Sequence, residues 1–241
     1  MRNGKRIGVV IPALNEAEAI GKVLADIPRW VDTIVVADNG STDSTADVAR
    51  ASGALVTHQP EPGYGAACLA GIAVLGPADI VVFVDGDYSD HPEDMADLVD
   101  PIAAGAADFV IASRVTGARE AGALTPQQVF GNWLATTLIR LIWRTRYTDL
   151  GPFRAISRDC LERLAMADRT YGWTVEMQIK AAEAGLRVHE VPARYRRRIG
   201  VSKISGTIQG TVRAGIKILS IIGRQAWRSW TTQPSSPAGS N

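Results

Sequence analysis

ADIVVFVDGDYSDHPED, residues 78–94, runs five apolar residues (80–84) straight into Asp85, Asp87, Asp90, Glu93 and Asp94. The apolar run is short and β-branched, which marks a buried strand rather than a membrane segment. Its end is therefore anchored to a core, while the carboxylates just beyond it repel one another. Paired carboxylates at a rigid strand end suit a hard divalent cation that also holds phosphate oxygens. The competing reading is a solvated acidic turn capping the next helix, since His91-Pro92-Glu93-Asp94 has the form of a helix start.

The same alternation extends outward from this stretch. RIGVVIPA (6–13), VDTIVVADNG (31–40), ALVTHQP (54–60) and ADFVIASR (107–114) read as strands. Between them NEAEAIGKVLADIP, STDSTADVARASG, GYGAACLAGIAVLG and residues 92–105 read as helices, with Ser41 or Thr42 available to cap the second. Strand–helix alternation on this scale predicts an α/β fold, a mostly parallel, Rossmann-like sheet with helices on both faces. Ligands in such sheets bind at the carboxyl ends of the strands. Two of those ends are acidic, with Asp38 and Asp43 at one and Asp85 and Asp87 at the other. After Arg114 the character changes: residues 114–128 read as a loop, 129–146 as an amphipathic helix, 148–166 as turn, strand and helix, and 173–185 as a helix. LRVHEVPARYRRR (186–198) reads as a strand entering a basic loop, followed by a last amphipathic helix. This predicts a catalytic domain over 1–206, an amphipathic helix over 207–230 and a disordered tail over 231–241.

Composition narrows the class. The chain of 241 residues is 46% apolar and 21% charged, with a formal net charge of +1, so no global field argues for nucleic acid or an acidic partner. The two cysteines, Cys68 and Cys160, sit in helix-like apolar patterns and read as buried free thiols. No signal-peptide pattern opens the sequence and no run approaches a spanning length, so a cytoplasmic protein is expected.

The turn Ile11-Pro12-Ala13-Leu14-Asn15-Glu16, together with DNGSTDST and DGD, is similar to family 2 glycosyltransferases of the GT-A fold. More narrowly, the chain resembles the dolichyl- and polyprenyl-phosphate mannosyl- and glucosyltransferases, over residues 7–205, about five-sixths of its length. The resemblance implies a nucleotide-diphosphate sugar donor and Mg²⁺ or Mn²⁺, a Lewis acid for the departing diphosphate. It implies Asp87 at the metal, with Asp85 as its partner there or as a contact to the nucleotide's ribose; the family's usual glutamine is Ser89 here, so Asp90 or water is left to supply the third contact. Pro12, Ala13 and Glu16 match the first nucleotide-binding loop, and Asp38 the residue that reads the base, with Asn39 where a second Asp is usual. Gly65, like Gly63, serves close approach to the nucleotide or merely a tight turn. Arg114 matches the arginine beside both phosphates. Arg197, Ser202 and Lys203 match the R-x-x-G-x-S-K loop, in which Arg197 and Ser202 face the acceptor phosphate and Lys203 the donor. Asp149 and Arg154 match a motif near the acceptor, or form an internal ion pair.

Two acceptor classes compete. A hydroxyl acceptor needs a general base, for which Glu176 and Asp149 are candidates. A lipid phosphate needs none, because a phosphate monoester is already ionised near neutral pH. The arginines at 114, 154, 196, 197 and 198 favour the phosphate, hence an inverting hexosyl transfer to polyprenyl phosphate. With no spanning helix, the last amphipathic helix is expected at the cytoplasmic face of a membrane, with Trp227 and Trp230 at headgroup depth, or in a homo-oligomer contact, whereas the helix over 129–146 is expected to pack on the core. A solvated basic loop or a nucleic-acid patch is the competing reading of RYRRRIGVSK. A sugar-phosphate nucleotidyltransferase is the other enzyme class of this architecture, but it would open with a glycine-rich, arginine-bearing loop where PALNEAEAIG stands.

Overall fold

In the computed structural model, which describes residues 1–200 and 208–232, every strand expected from the β-branched runs forms. The strands are β1 (Ile7–Ala13), β2 (Thr33–Asp38), β3 (Leu55–His58), β4 (Ile80–Phe83), β5 (Phe109–Ser113), β6 (Arg154–Ser157) and β7 (Val188–Pro192). They make one seven-stranded sheet in the order β3-β2-β1-β4-β6-β5-β7. Pairing is parallel throughout except at β6, which runs antiparallel to both β4 and β5. The inner strands β1, β4 and β5 are buried along their whole length, which is why they read as continuous apolar runs instead of alternating ones.

The period of two along each strand divides the core. Ile7, Val9, Ile11, Ile80 and Val82 pack under α1 (Ala17–Asp26), α2 (Thr45–Ala51) and α4 (Met95–Ala103). Val10, Val81, Phe83 and Ile111 pack on the other face, under α3 (Tyr64–Val74), α5 (Pro126–Trp143), α6 (Arg158–Leu164), α7 (Trp173–Glu183) and α8 (Ile208–Thr232). Cys68 and Cys160 are buried and free, as expected. Among the described residues no helix is long and apolar enough to cross a membrane.

Three local expectations are corrected. α5 starts at Pro126, inside the stretch read as loop, because Thr125 and Gln128 form a reciprocal capping box: Gln128 N–H donates to Thr125 Oγ1 and Thr125 N–H to Gln128 Oε1. Neither Ser41 nor Thr42 caps α2. Ser41 Oγ instead accepts from Asn15 N–H at 2.9 Å, and Thr42 N–H donates to Asn15 Oδ1 at 2.7 Å, so these residues lace the turn after β2 to the turn after β1. α8 runs to Thr232, past the expected end at 230.

Candidate active site

Because β2, β1 and β4 are neighbours and parallel, the turns that leave them open on one edge of the sheet. They line a cleft with Pro12, Ala13 and Glu16 from the first turn, Asn39 from the second and Asp85, Gly86 and Asp87 from the third. Pro62, Gly63 and Tyr64 at the start of α3, Thr170 and Tyr171 before α7, and Arg198 after β7 close it.

The carboxylates at its floor differ in surroundings. Asp85 Oδ1 accepts from the Tyr64 hydroxyl at 3.0 Å. Burial, and then the charge of Asp87, push the Asp85 carboxyl up to about 7. Asp87 Oδ1 accepts from the Ser89 N–H and hydroxyl at 2.9 and 2.6 Å, and its Oδ2 lies 3.2 Å from Arg198 Nη1. Ser89, standing where the resemblance expects glutamine, is thus engaged in orienting Asp87. Asp90 is buried, its Oδ2 has no hydrogen-bond partner, and it does not line the cleft. Burial, Asp85 and Asp87 together hold its carboxyl well above the usual range.

A divalent cation fits this donor set. Asp85 and Asp87 both face the cleft, with Arg198 only partly offsetting them, and an ion between them would relieve the repulsion that adds to burial in raising Asp85. Among the described residues no group of three His, Cys, Asp or Glu side chains is arranged to hold an ion unaided. The remaining ligands would be phosphate oxygens and water, as is usual for Mg²⁺ at phosphate sites.

Residues 8–165 match the model of glycosyl transferase family 2. This chain belongs to that family. It is 37% identical over 229 residues to an uncharacterized glycosyltransferase of Mycobacterium tuberculosis, covering 91% of this chain and 99% of the relative. To a dolichyl-phosphate hexose transferase of Haloferax volcanii it is 35% identical over 202 residues, covering 82% and 86%. Among solved structures, glucosyl-3-phosphoglycerate synthase of M. tuberculosis, in complex with Mn²⁺, UDP and glucosyl-3-phosphoglycerate, superposes with a TM-score of 0.74 at 26% identity, over 98% of this chain and 83% of that one. The GT-A fold expected from the motifs is the fold observed.

In this glycosyltransferase not every residue expected at the site reaches the cleft. Asp38 is buried at the end of β2, accepting from Ser41 N–H at 3.2 Å and facing His58 Nδ1 at 3.1 Å. Its neighbour Asn39 lines the cleft instead. The Asn39 amide donates to the Gln59 and Glu61 carbonyls at 3.0 and 2.7 Å and accepts from Gly63 N–H at 2.7 Å, which a carboxylate in its place could not do. Gly65 owes its place to packing, since a Cβ there would stand 2.0 Å from the Asp168 carbonyl oxygen.

The arginines separate sharply. Arg114 is held by Asp149 through two hydrogen bonds of 2.7 Å, with its guanidinium over the Tyr195 ring. Burial would raise the Asp149 carboxyl, but Arg114 holds it below the usual range. Arg154 is 0% exposed and donates to the Leu150, Gly151 and Thr174 carbonyls; burial lowers its pKa to about 10. The structure therefore does not bring Arg154 to an acceptor site: its guanidinium is used up tying β6 to α7. Asp149 pairs with Arg114 and not with Arg154. Arg197 is exposed, with Nε donating to the Ala121 carbonyl at 2.8 Å. Arg198, one residue on, is the one in the cleft, with Nη2 2.7 Å from Glu16 Oε1. Its Nε is buried and unpaired among the described residues. Ser202 and Lys203 lie outside the described residues.

The basic loop is also not a free patch. Arg194 pairs with Glu93 and Asp94, Arg196 stacks 3.3 Å over the Tyr88 ring, and Ile199 N–H donates to the Asp87 carbonyl at 3.0 Å. It lies stitched along the acidic loop of residues 85–94. Tyr64, Thr170 and Tyr171 were missed by sequence reasoning, which counted Arg198 only among the arginines favouring a phosphate acceptor. Tyr64 had a signal, standing between the two glycines of the 63–65 turn, whereas Thr170 and Tyr171 had none.

Proposed function

We propose that this family 2 glycosyltransferase transfers a hexose, with inversion, from a nucleotide-diphosphate sugar (UDP-glucose or GDP-mannose) to a polyprenyl or dolichyl phosphate at a membrane surface. The observation that carries the choice of acceptor is that the two carboxylates expected to serve as a base for a hydroxyl acceptor are, among the described residues, engaged elsewhere. Both candidates are committed: Asp149 to Arg114, and Glu176 to the N–H groups of Ala167 and Asp168 and to Lys180 Nζ at 2.9 Å. A phosphate acceptor requires no proton removal, since its monoester is ionised near neutral pH.

In this reading Asp87 and Asp85 would hold Mg²⁺ or Mn²⁺, which when bound neutralises the diphosphate as a Lewis acid. Pro12 and Ala13 form the wall against which the nucleotide rests. Arg198, which lines the cleft, is poised to contact donor phosphate oxygens, and Glu16 orients it. Arg197, exposed at the edge of the basic loop, captures the acceptor phosphate in bidentate fashion, with Ser202 and Lys203 following it in the chain. An acceptor phosphate oxygen then attacks the anomeric carbon from the face opposite the leaving group. The new carbon–oxygen bond forms as the bond to the diphosphate breaks, and the nucleoside diphosphate departs.

Location at the cytoplasmic face of a membrane is supported by the outer surface of α5 and α8. There Phe130, Trp133, Leu141, Ile216, Trp227 and Trp230 are exposed, a composition suited to the headgroup region. A homo-oligomer contact is the other use of that surface. The 35% identical dolichyl-phosphate hexose transferase supports the lipid acceptor. A hydroxyl acceptor is the second reading, favoured by the glucosyl-3-phosphoglycerate bound to the solved neighbour. The test is release of UDP or GDP from each donor, with Mg²⁺ or Mn²⁺, in the presence of polyprenyl phosphate, 3-phosphoglycerate or neither. Release that depends on polyprenyl phosphate supports the proposal; release driven by 3-phosphoglycerate alone overturns it.

A further inference from the structure

One wall of the cleft is a short turn, residues 168–172, whose Thr170 and Tyr171 face the space that the donor would fill. Its shape is set by one carboxylate. Asp168 Oδ1 accepts from Thr170 N–H at 2.8 Å, Gly172 N–H at 3.0 Å and the Thr170 hydroxyl at 3.1 Å. The other oxygen of the same carboxylate points away from the cleft and meets Lys217 Nζ of α8 at 3.0 Å. The Asp168 side chain is only 9% exposed, so the carboxylate is shielded, while Lys217 keeps 34% of its side chain in solvent. Burial would raise the Asp168 carboxyl, but Lys217 and the turn N–H groups hold it below the usual range.

A second contact lies one turn of helix along. A Cβ on Gly172 would stand 1.7 Å from Ile221 Cδ1, so α8 presses directly on the main chain of the turn. Ile221 and Ile222 are buried there, while Ile216, Trp227 and Trp230 on the same helix are exposed. From the cleft side the turn is gripped as closely. Gly65 N–H donates to the Thr170 carbonyl at 3.1 Å, and a Cβ at Gly63 or Gly65 would come within 2.0 Å of the Arg169 or Asp168 carbonyl oxygen. The turn is thus a thin layer of backbone between the start of α3 and the inner face of α8, with no slack on either side.

We propose that α8 is a working part of the donor site: Lys217 and Ile221 are positioning residues that hold the 168–172 turn in place, so that the seating of α8 sets the affinity of the cleft for its nucleotide. This rests on the reading of the cleft as the site of a nucleotide-diphosphate sugar. Two sites that bias one two-sided element are coupled reciprocally, so nucleotide binding in turn tightens α8 on the body of the enzyme.

The experiment uses the full chain and the variants Lys217→Met, Asp168→Asn, the double variant and Lys217→Arg. Asparagine keeps an oxygen for the Thr170 and Gly172 N–H groups and replaces the charged oxygen that meets Lys217 with an NH2 group. Binding of UDP and of GDP with Mn²⁺ is measured by calorimetry, and amide hydrogen exchange is followed without nucleotide. Lys217→Met and Asp168→Asn are each expected to weaken nucleotide binding about five- to tenfold, at the low end of typical site-to-site coupling. The double variant should be no worse than either, as two partners of one interaction require, and arginine at 217 should restore affinity. Donor KM should rise more than kcat falls. Exchange should quicken at Thr170 and Gly172 in Lys217→Met, while the strand amides keep their protection. Unchanged exchange at the turn overturns the proposal, and so does a uniform loss of protection across the sheet, which would mark a merely structural role. If the wild-type protein binds neither UDP nor GDP, the donor reading is refuted, and the exchange comparison by itself upholds or overturns the hold of α8 on the turn.

Discussion

At the scale of single residues the site is a balance of charges drawn from distant parts of the chain. Arg198 lies between Glu16 and Asp87, and Arg197 beside it turns to the Ala121 carbonyl. Their losses should therefore differ. Arg198→Ala removes a charge-assisted contact worth about 1.5–3 kcal/mol, and kcat/KM should fall roughly ten- to a hundredfold. Arg197→Ala should leave nucleotide binding intact and raise KM for polyprenyl phosphate. Steady-state kinetics on both variants separates these effects. Asp85 makes a second prediction through pH. Its carboxyl titrates at about 7 in the metal-free fold, against an unfolded value of about 4. Between those values the folded protein holds a proton that the unfolded chain has lost, so stability falls as pH rises towards 7 and then levels. Asp85→Asn should lessen that slope, with Asp90 still adding to it: the metal-free variant should melt above the wild type by a margin that widens from pH 5 to about pH 7 and then holds. Added Mn²⁺ should stabilise the wild type more than the variant. Melting curves with and without chelator measure both.

At the scale of elements, local chemistry decided where α5 begins, and elsewhere loops were tied to one another more than to their own helices. The Thr125–Gln128 box starts α5 three residues before the apolar pattern does. Thr125→Ala should cost about 1 kcal/mol, a fall in melting temperature of roughly 2–4 °C for a chain of this size. Gln128→Ala should cost less, because it leaves the Thr125 cap on the Gln128 N–H in place. Calorimetry on the two variants tests the reciprocal pairing. The glycines of the 63–65 turn belong to this scale as well. Sequence left open whether Gly65 served a ligand or a turn, and the Asp168 carbonyl against its α-carbon shows that it serves the packing of two loops.

At the scale of the whole molecule, one edge of the sheet carries the cleft, and α8 touches its wall while turning Trp227 and Trp230 outward. If that outer face meets lipid, replacing Trp227 and Trp230 by Ser should abolish co-sedimentation with anionic vesicles and leave the melting temperature within about a degree, since exposed side chains add little to stability. A change of oligomeric state in the double variant, with vesicle binding unaltered, would assign the face to a second copy instead. The sequence by itself determined the seven strands, their parallel beginning, and the seating of Pro12, Ala13, Glu16, Asp85 and Asp87 at one edge. β-Branched runs and strand-end motifs are local signals, and a parallel sheet gathers its strand ends whatever the loops contain. Only the tertiary structure decided which cations serve the cleft. Arg114, Arg154, Arg197 and Arg198 are alike in charge and in local pattern, yet one is clasped by Asp149, one is sealed among carbonyls, one is exposed and one faces Asp87. Burial and partner come from elements far apart in the chain, and no short-range pattern encodes them.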